Sequence, residues 1–151
     1  MSNGFELPLR LLMAFRVLID ALHEELAERG HPDMRPMHGF VLQAVARGAD
    51  SAASLGRTLG VSKQAAGKTV ETLEELGYVT RVPDPADSRR KTVVLTGRGV
   101  DALRQSAEVF DELRARWAAE LGAGRLDDLE DTLRRMTPDD LFRLDVPGWF
   151  G

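Results

Sequence analysis

Two groups of side chains in this sequence have the types and spacing for recognising a polyanion. The first is Ser62-Lys63-Gln64-Ala65-Ala66-Gly67-Lys68. A serine at the head of a helix caps free amides, and those amides with the helix dipole favour a nearby phosphate. Gln64 can pair bidentately with adenine, Lys63 and Lys68 can reach guanine or phosphate, and Gly67 lets the backbone come close. An interior glycine costs about 1 kcal/mol of helix propensity, so position 67 is expected to bring a gain elsewhere. The second group is Arg89-Arg90-Lys91, with Asp87 two residues before Arg89. A carboxylate at that spacing can hold a guanidinium and set its direction. An arginine so aimed suits the narrow, strongly negative minor groove of A·T-rich DNA, with Arg90 and Lys91 left for the phosphates.

Local patterns supply the elements that must position these groups. At helical spacing Gln64, Gly67 and Lys68 open one face of a helix over 63–76, and that face ends in Glu71 and Glu75. Ala66, Thr69, Val70 and Leu73 form the opposite, packing face. Glutamates repel phosphate, so only the N-terminal half can lie deep in a groove, as in a recognition helix. Asp50-Ser51 caps a short helix at 52–59, Gly60-Val61-Ser62 is a tight turn, and a helix from Pro36 to about Gly48 precedes them. After Gly77 the period changes: 78–82 and 91–95 are rich in β-branched residues and flank a polar tip, predicting a hairpin. Two helices joined by a short turn and followed by a hairpin make a winged helix-turn-helix.

Helical period governs the two ends of the chain. Leu11, Phe15, Leu18, Leu22 and Leu26 stripe a helix over roughly 5–29, which Gly30-His31-Pro32 stops. From Gly99, Val100, Leu103, Ala107, Phe110, Leu113, Trp117 and Leu121 stripe another. Gly122 and Gly124 should break it before a last helix bearing Leu126, Leu129, Leu133 and Met136. Thr137-Pro138-Asp139-Asp140 should cap one more turn, ahead of a tail holding Trp149-Phe150, which is given no role. These stripes are wider than a lone wing domain needs. The expected fold is therefore mainly α with a small β-hairpin wing, one domain over 1–151. Residues 1–34 and 99–151 supply dimerisation helices, and 35–98 the winged helix-turn-helix.

Composition narrows the function. The chain has 151 residues and a net charge of −4, which by itself argues against nucleic acid. The charge is uneven, however: 57–91 carries seven basic and five acidic side chains, and only the face that meets phosphate must be positive. The absence of cysteine excludes a disulfide framework, a thiolate nucleophile, thiol-oxidation sensing and sulfur-ligated zinc. No uninterrupted apolar run approaches a membrane span. The N-terminal run over 7–16 contains Arg10 and Arg16 and lacks a cleavage site, so a cytoplasmic protein is expected. No H-E-x-x-H, G-x-S-x-G or phosphate loop is present; His23-Glu24 lacks a second ligand histidine, and Gly97-Arg98-Gly99 lacks the remaining glycine. An enzyme is not expected, nor a cofactor. His31, Asp33 and His38 leave a metal-responsive regulator open, against the simpler view of them as polar loop residues beside Pro32.

Taken together, Leu55-Gly56-Arg57-Thr58-Leu59-Gly60-Val61-Ser62-Lys63-Gln64-Ala65-Ala66, then Leu73-Glu74-Glu75-Leu76-Gly77-Tyr78-Val79, resemble the MarR family of transcriptional regulators. The wing is the most specific part. Asp84-Pro85-Ala86-Asp87-Ser88-Arg89-Arg90-Lys91 followed by Leu95-Thr96 and Gly99 looks like that family's D-P-x-D-x-R…L-T…G signature. Gly56, Gly67 and Ser88 depart from its usual residues. Arg57 joins Ser62, Lys63, Gln64, Gly67, Lys68, Asp87, Arg89, Arg90 and Lys91 as DNA-binding candidates. The resemblance implies an obligate homodimer on a palindromic operator, with half-sites about one turn (~10 bp) apart. It also implies a repressor relieved by a small aromatic or phenolic effector, with Phe15, Arg16, Met37, His38 and Phe110 as candidate pocket residues. A related interaction module without DNA binding is the alternative.

Overall fold

Cap chemistry and apolar spacing account for most element boundaries in the computed structural model, which describes residues 3–139. Helix α1 spans Glu6–Glu28 and stops where Gly30 takes a left-handed φ of 97°. Helix α2 (Pro36–Ala46) opens on a proline, whose missing amide is needed by nothing there. Helix α3 (Ala52–Leu59) is capped by Ser51, whose Oγ accepts from the Ser54 amide, and α4 (Lys63–Glu75) follows the turn at Gly60. Strands β1 (Val79–Pro83) and β2 (Lys91–Leu95) pair antiparallel, with Val79 opposite Leu95 and Pro83 opposite Lys91. Helices α5 (Gly97–Leu121) and α6 (Ala123–Met136) complete the described chain.

Two boundaries differ from the expectation. Helix α5 starts two residues before Gly99, because Thr96 caps it. The Thr96 Oγ1 accepts from the Gly99 amide at 3.1 Å and donates to the Gly77 carbonyl at 2.6 Å. At the far end only Gly122, at φ 92°, breaks the helix. Gly124 lies in the first turn of α6, where amides lack intrahelical partners and a glycine costs little. Thr137 and Asp139 are bends, and the further turn expected beyond them, like Asp140 and the Trp149-Phe150 tail, lies outside the described residues.

One core runs through α2, α3, α4 and the hairpin and extends to α1 and α5. Leu26, Leu42, Leu55, Leu59, Leu73 and Tyr78 are fully buried in it. Each such leucine contributes roughly 1.5–3 kcal/mol, enough together to hold α4 in one orientation. The terminal stripes divide. Leu22, Leu26, Leu113 and Leu126 are buried within the chain, and Leu18 and Phe110 pack against its core. Phe5, Leu7, Leu9, Leu11, Leu12, Met13 and Val17 of the α1 region, with Leu121, Leu129 and Met136, stay exposed. A side-chain fan from Arg29 fastens α1 to α5, reaching Glu25, Gln105, Glu108 and Glu112 at 3.1–3.5 Å.

His31 is not the polar loop residue expected beside Pro32. Only 2% exposed, it bonds the Tyr78 hydroxyl through Nδ1 at 2.8 Å and Asp101 through Nε2 at 2.7 Å. A carboxylate can only accept, so Nε2–H donates to Asp101, which leaves Nδ1 for the tyrosine hydroxyl. This bond, and then Arg104, hold the Asp101 carboxyl below the usual carboxylate range. The chain of bonds ties the α1–α2 loop to the head of β1 and the first turns of α5. Gly99 belongs to the same joint: a Cβ there would overlap the Tyr78 carbonyl oxygen.

Candidate nucleic-acid interface

Helix α4 turns Ala66, Val70 and Leu73 into the core and leaves Lys63, Gln64, Lys68, Glu71 and Glu75 exposed. The division expected from spacing is thus met. Ser62 caps the helix, its Oγ accepting from the Ala65 amide at 3.0 Å. Arg57, in the last turn of α3, is also exposed. Arg57, Lys63, Lys68 and Lys91 have no ion-pair partner among the described residues, so their charge is available to an outside anion. Gly67 faces a neighbour unlike the expected one. A Cβ there would meet the Ala52 Cβ of α3 at 3.8 Å, an ordinary contact. Gly67→Ala should therefore raise stability by about 0.5–1 kcal/mol, read as a higher urea midpoint at unchanged slope.

The wing presents Arg89 at its tip, and Asp87 organises it. One Asp87 oxygen accepts from the Arg89 amide at 3.1 Å and from its Nε at 3.3 Å. The Arg89 side chain is 92% exposed and is held from behind, as the spacing suggested. Arg90 departs from the expectation that it is free for phosphate. Its guanidinium turns inward, 3.1 Å from Asp50 on the α2–α3 loop and 3.9 Å from Asp84. Lys91 opens β2 and is exposed.

Comparison with known proteins bears on this arrangement. A family model described as MarR family matches residues 33–90, which hold the helix-turn-helix and most of the wing. The winged segment matches that family's model, and the chain as a whole has the fold of the solved structures below. MarR from E. coli in its apo form is 24% identical with a TM-score of 0.68, covering 91% of this chain and 99% of that one. The transcriptional regulator Tm0710 from Thermotoga maritima is 26% identical with a TM-score of 0.61, covering 89% and 92%. CouR from Rhodococcus jostii RHA1, solved bound to p-coumaroyl-CoA, is 22% identical with a TM-score of 0.62, covering 87% and 91%. Curated protein sequences yield no match.

Parts of the MarR signature have mechanical roles in this chain. Thr96 caps α5, Gly99 admits the Tyr78 carbonyl, and Asp87 holds Arg89. Gly56, a departure from the usual residue, is buried where a Cβ would stand 2.8 Å from the Val61 carbonyl oxygen, so the helix-turn-helix is drawn unusually close. The five pocket candidates differ in their surroundings within the chain. Met37 and Phe110 pack against the core, Phe15 is half-buried on α1, and Arg16 is exposed. His38 is buried, its Nδ1 accepting from the Arg35 amide at 3.2 Å. An open cleft of about 550 Å³ lies nearby, lined by other residues, among them His23, Met34 and Arg35.

Burial, then Arg35 and His23, lower the His38 pKa from its ordinary value near 6.5. The unfolded chain therefore takes up the proton first. Stability should fall as pH drops below about 6.5 and level off once the folded-state value is passed. Urea titrations at pH 7.5 and 5.5 should show this loss, and His38→Asn should reduce it. Both ring nitrogens of His31 are engaged, and among the described residues no group of three His, Asp or Glu is placed to hold a metal ion. No described helix is long and apolar enough to cross a membrane.

Proposed function

We propose that this protein is a dimeric, sequence-specific DNA-binding transcriptional regulator that works in the cytoplasm. One observation carries the proposal: the exposed, unpaired Lys63–Gln64–Lys68 face of α4 stands on a rigid winged unit whose tip presents Arg89, held by Asp87. Helix α4 enters the major groove by its N-terminal half, with Gln64 on a base edge and Ser62, Lys63 and Lys68 toward phosphates. Arg89 enters the adjacent minor groove, and Arg57 and Lys91 add phosphate contacts. Repression relieved by a small aromatic or phenolic effector is the regulatory form the family resemblance supports. Phe15, Arg16, Met37, His38 and Phe110 are the residues proposed to meet that effector, and the open cleft beside Met34 and Arg35 is a second place for it.

Selection of bound sequences from a random pool, followed by salt titrations, tests this. Gln64→Ala should relax preference at one symmetric pair of positions, costing about 1–3 kcal/mol per half-site. Lys68→Ala should weaken all sequences alike and lower the salt slope by about one per lost contact. Arg89→Ala should cost most on A·T-flanked operators, and Asp87→Ala should do the same more weakly although it removes a negative charge. Tighter binding by Asp87→Ala on every flank would make the aspartate a mere surface charge. No selected sequence at all would leave an interaction module without DNA binding.

A further inference from the structure

Arg90 lies in the wing's cationic run, yet its geometry is that of an internal fastening. Its guanidinium meets the Asp50 carboxylate at 3.1 Å, across forty positions of sequence, and Asp84 at 3.9 Å. Backbone bonds surround the pair. The Val93 amide donates to the Asp50 carbonyl at 2.8 Å, so β2 is already joined to the α2–α3 loop. The Asp84 amide donates to the Arg90 carbonyl at 2.8 Å, and the Arg90 amide to the Asp87 carbonyl at 3.0 Å. Asp50 is itself fixed, its amide donating to Ser54 Oγ at the head of α3. A rigid path thus runs from α3 through Asp50 and Arg90 to Asp87, and Asp87 holds Arg89.

We propose that Arg90 and Asp50 are positioning residues that anchor the wing to the helix-turn-helix and thereby set where Arg89 points. This rests on the role proposed for Arg89, and it reassigns Arg90 from phosphate contact to bracket. Asp50 lies on the helix-turn-helix side of the wing, where an uncompensated carboxylate would repel DNA; paired with Arg90 it orients the wing instead. An ion pair of this exposure supplies up to about a fivefold effect per wing. Its removal should tilt the wing without unfolding the domain, because the Val93–Asp50 backbone bond remains.

The test combines operator binding with hydrogen exchange on the DNA-free protein, for wild type, Asp50→Asn, Arg90→Ala and the double variant. If the bracket exists, each single change weakens operator binding two- to fivefold per wing, and the double variant is no weaker than either. Arg90→Ala then keeps the wild-type salt slope, whereas Lys91→Ala lowers it. Exchange over 84–93 speeds up in all three variants, while α4 is unaffected. Tighter or unchanged binding by Asp50→Asn, together with a slope reduced by about one per Arg90 removed, would overturn the bracket and restore a phosphate contact. Unchanged exchange over 84–93 would also overturn it. Failure of wild type to bind any DNA, with faster wing exchange in the variants, would instead remove the proposed function and leave the bracket standing.

Discussion

Leu11→Lys combined with Val17→Lys should convert the protein to monomers and lower operator affinity by about a hundredfold or more. Leu11 is 45% exposed and Val17 55%, and they share the first half of α1 with Leu7, Leu9 and Met13, each more than half exposed. A surface helix needs one apolar stripe, and this half of α1 is apolar on nearly every side. Leaving so much apolar surface in water is costly, and the proposed second copy on a two-fold axis would cover it with the same residues. Lysine is chosen because added positive charge would by itself favour DNA, so a fall in affinity can come only from losing the second winged unit. Sedimentation at about 10 μM protomer separates the outcomes, since obligate dimers unfold or dissociate when the interface is charged. A wild-type monomer at that concentration, or a variant of unchanged mass and affinity, would overturn the dimer and the palindrome with it.

Removing His31 should have the largest effect on stability of any single polar substitution here, about 3 kcal/mol for His31→Ala. Two costs add: a cavity at a site only 2% exposed, and the loss of the 2.8 Å partner of a Tyr78 hydroxyl that then keeps only Arg98, in a residue that is itself fully buried. Asp101 suffers less, being partly solvated and still paired with Arg104. Tyr78→Phe alone should cost about 1–2 kcal/mol. In the double variant the shared bond is lost only once, so the loss should fall clearly short of the sum. Urea denaturation at fixed protomer concentration measures all three. Additive losses would mean that the His31–Tyr78 bond contributes nothing as a pair.

The sequence by itself determined what depends on neighbours within a turn or two. The α4 face of Gln64 and Lys68, the Ser62 cap, the hairpin and the Asp87–Arg89 pair all follow from helical period, cap chemistry or a two-residue reach, and the structure places each accordingly. Only the tertiary structure decided which half of the α1 stripe is used inside the chain, because periodicity shows that a face is apolar but not what covers it. It decided that His31 is a buried bridge, since Tyr78 and Asp101 lie 47 and 70 positions away and no local pattern announces them. It turned Arg90 from the wing tip to Asp50, and it set Gly67 against Ala52 rather than toward solvent. In each case the partner is brought up by the packing of helices distant in sequence. A charge or a glycine has no periodicity of its own by which that partner could be read.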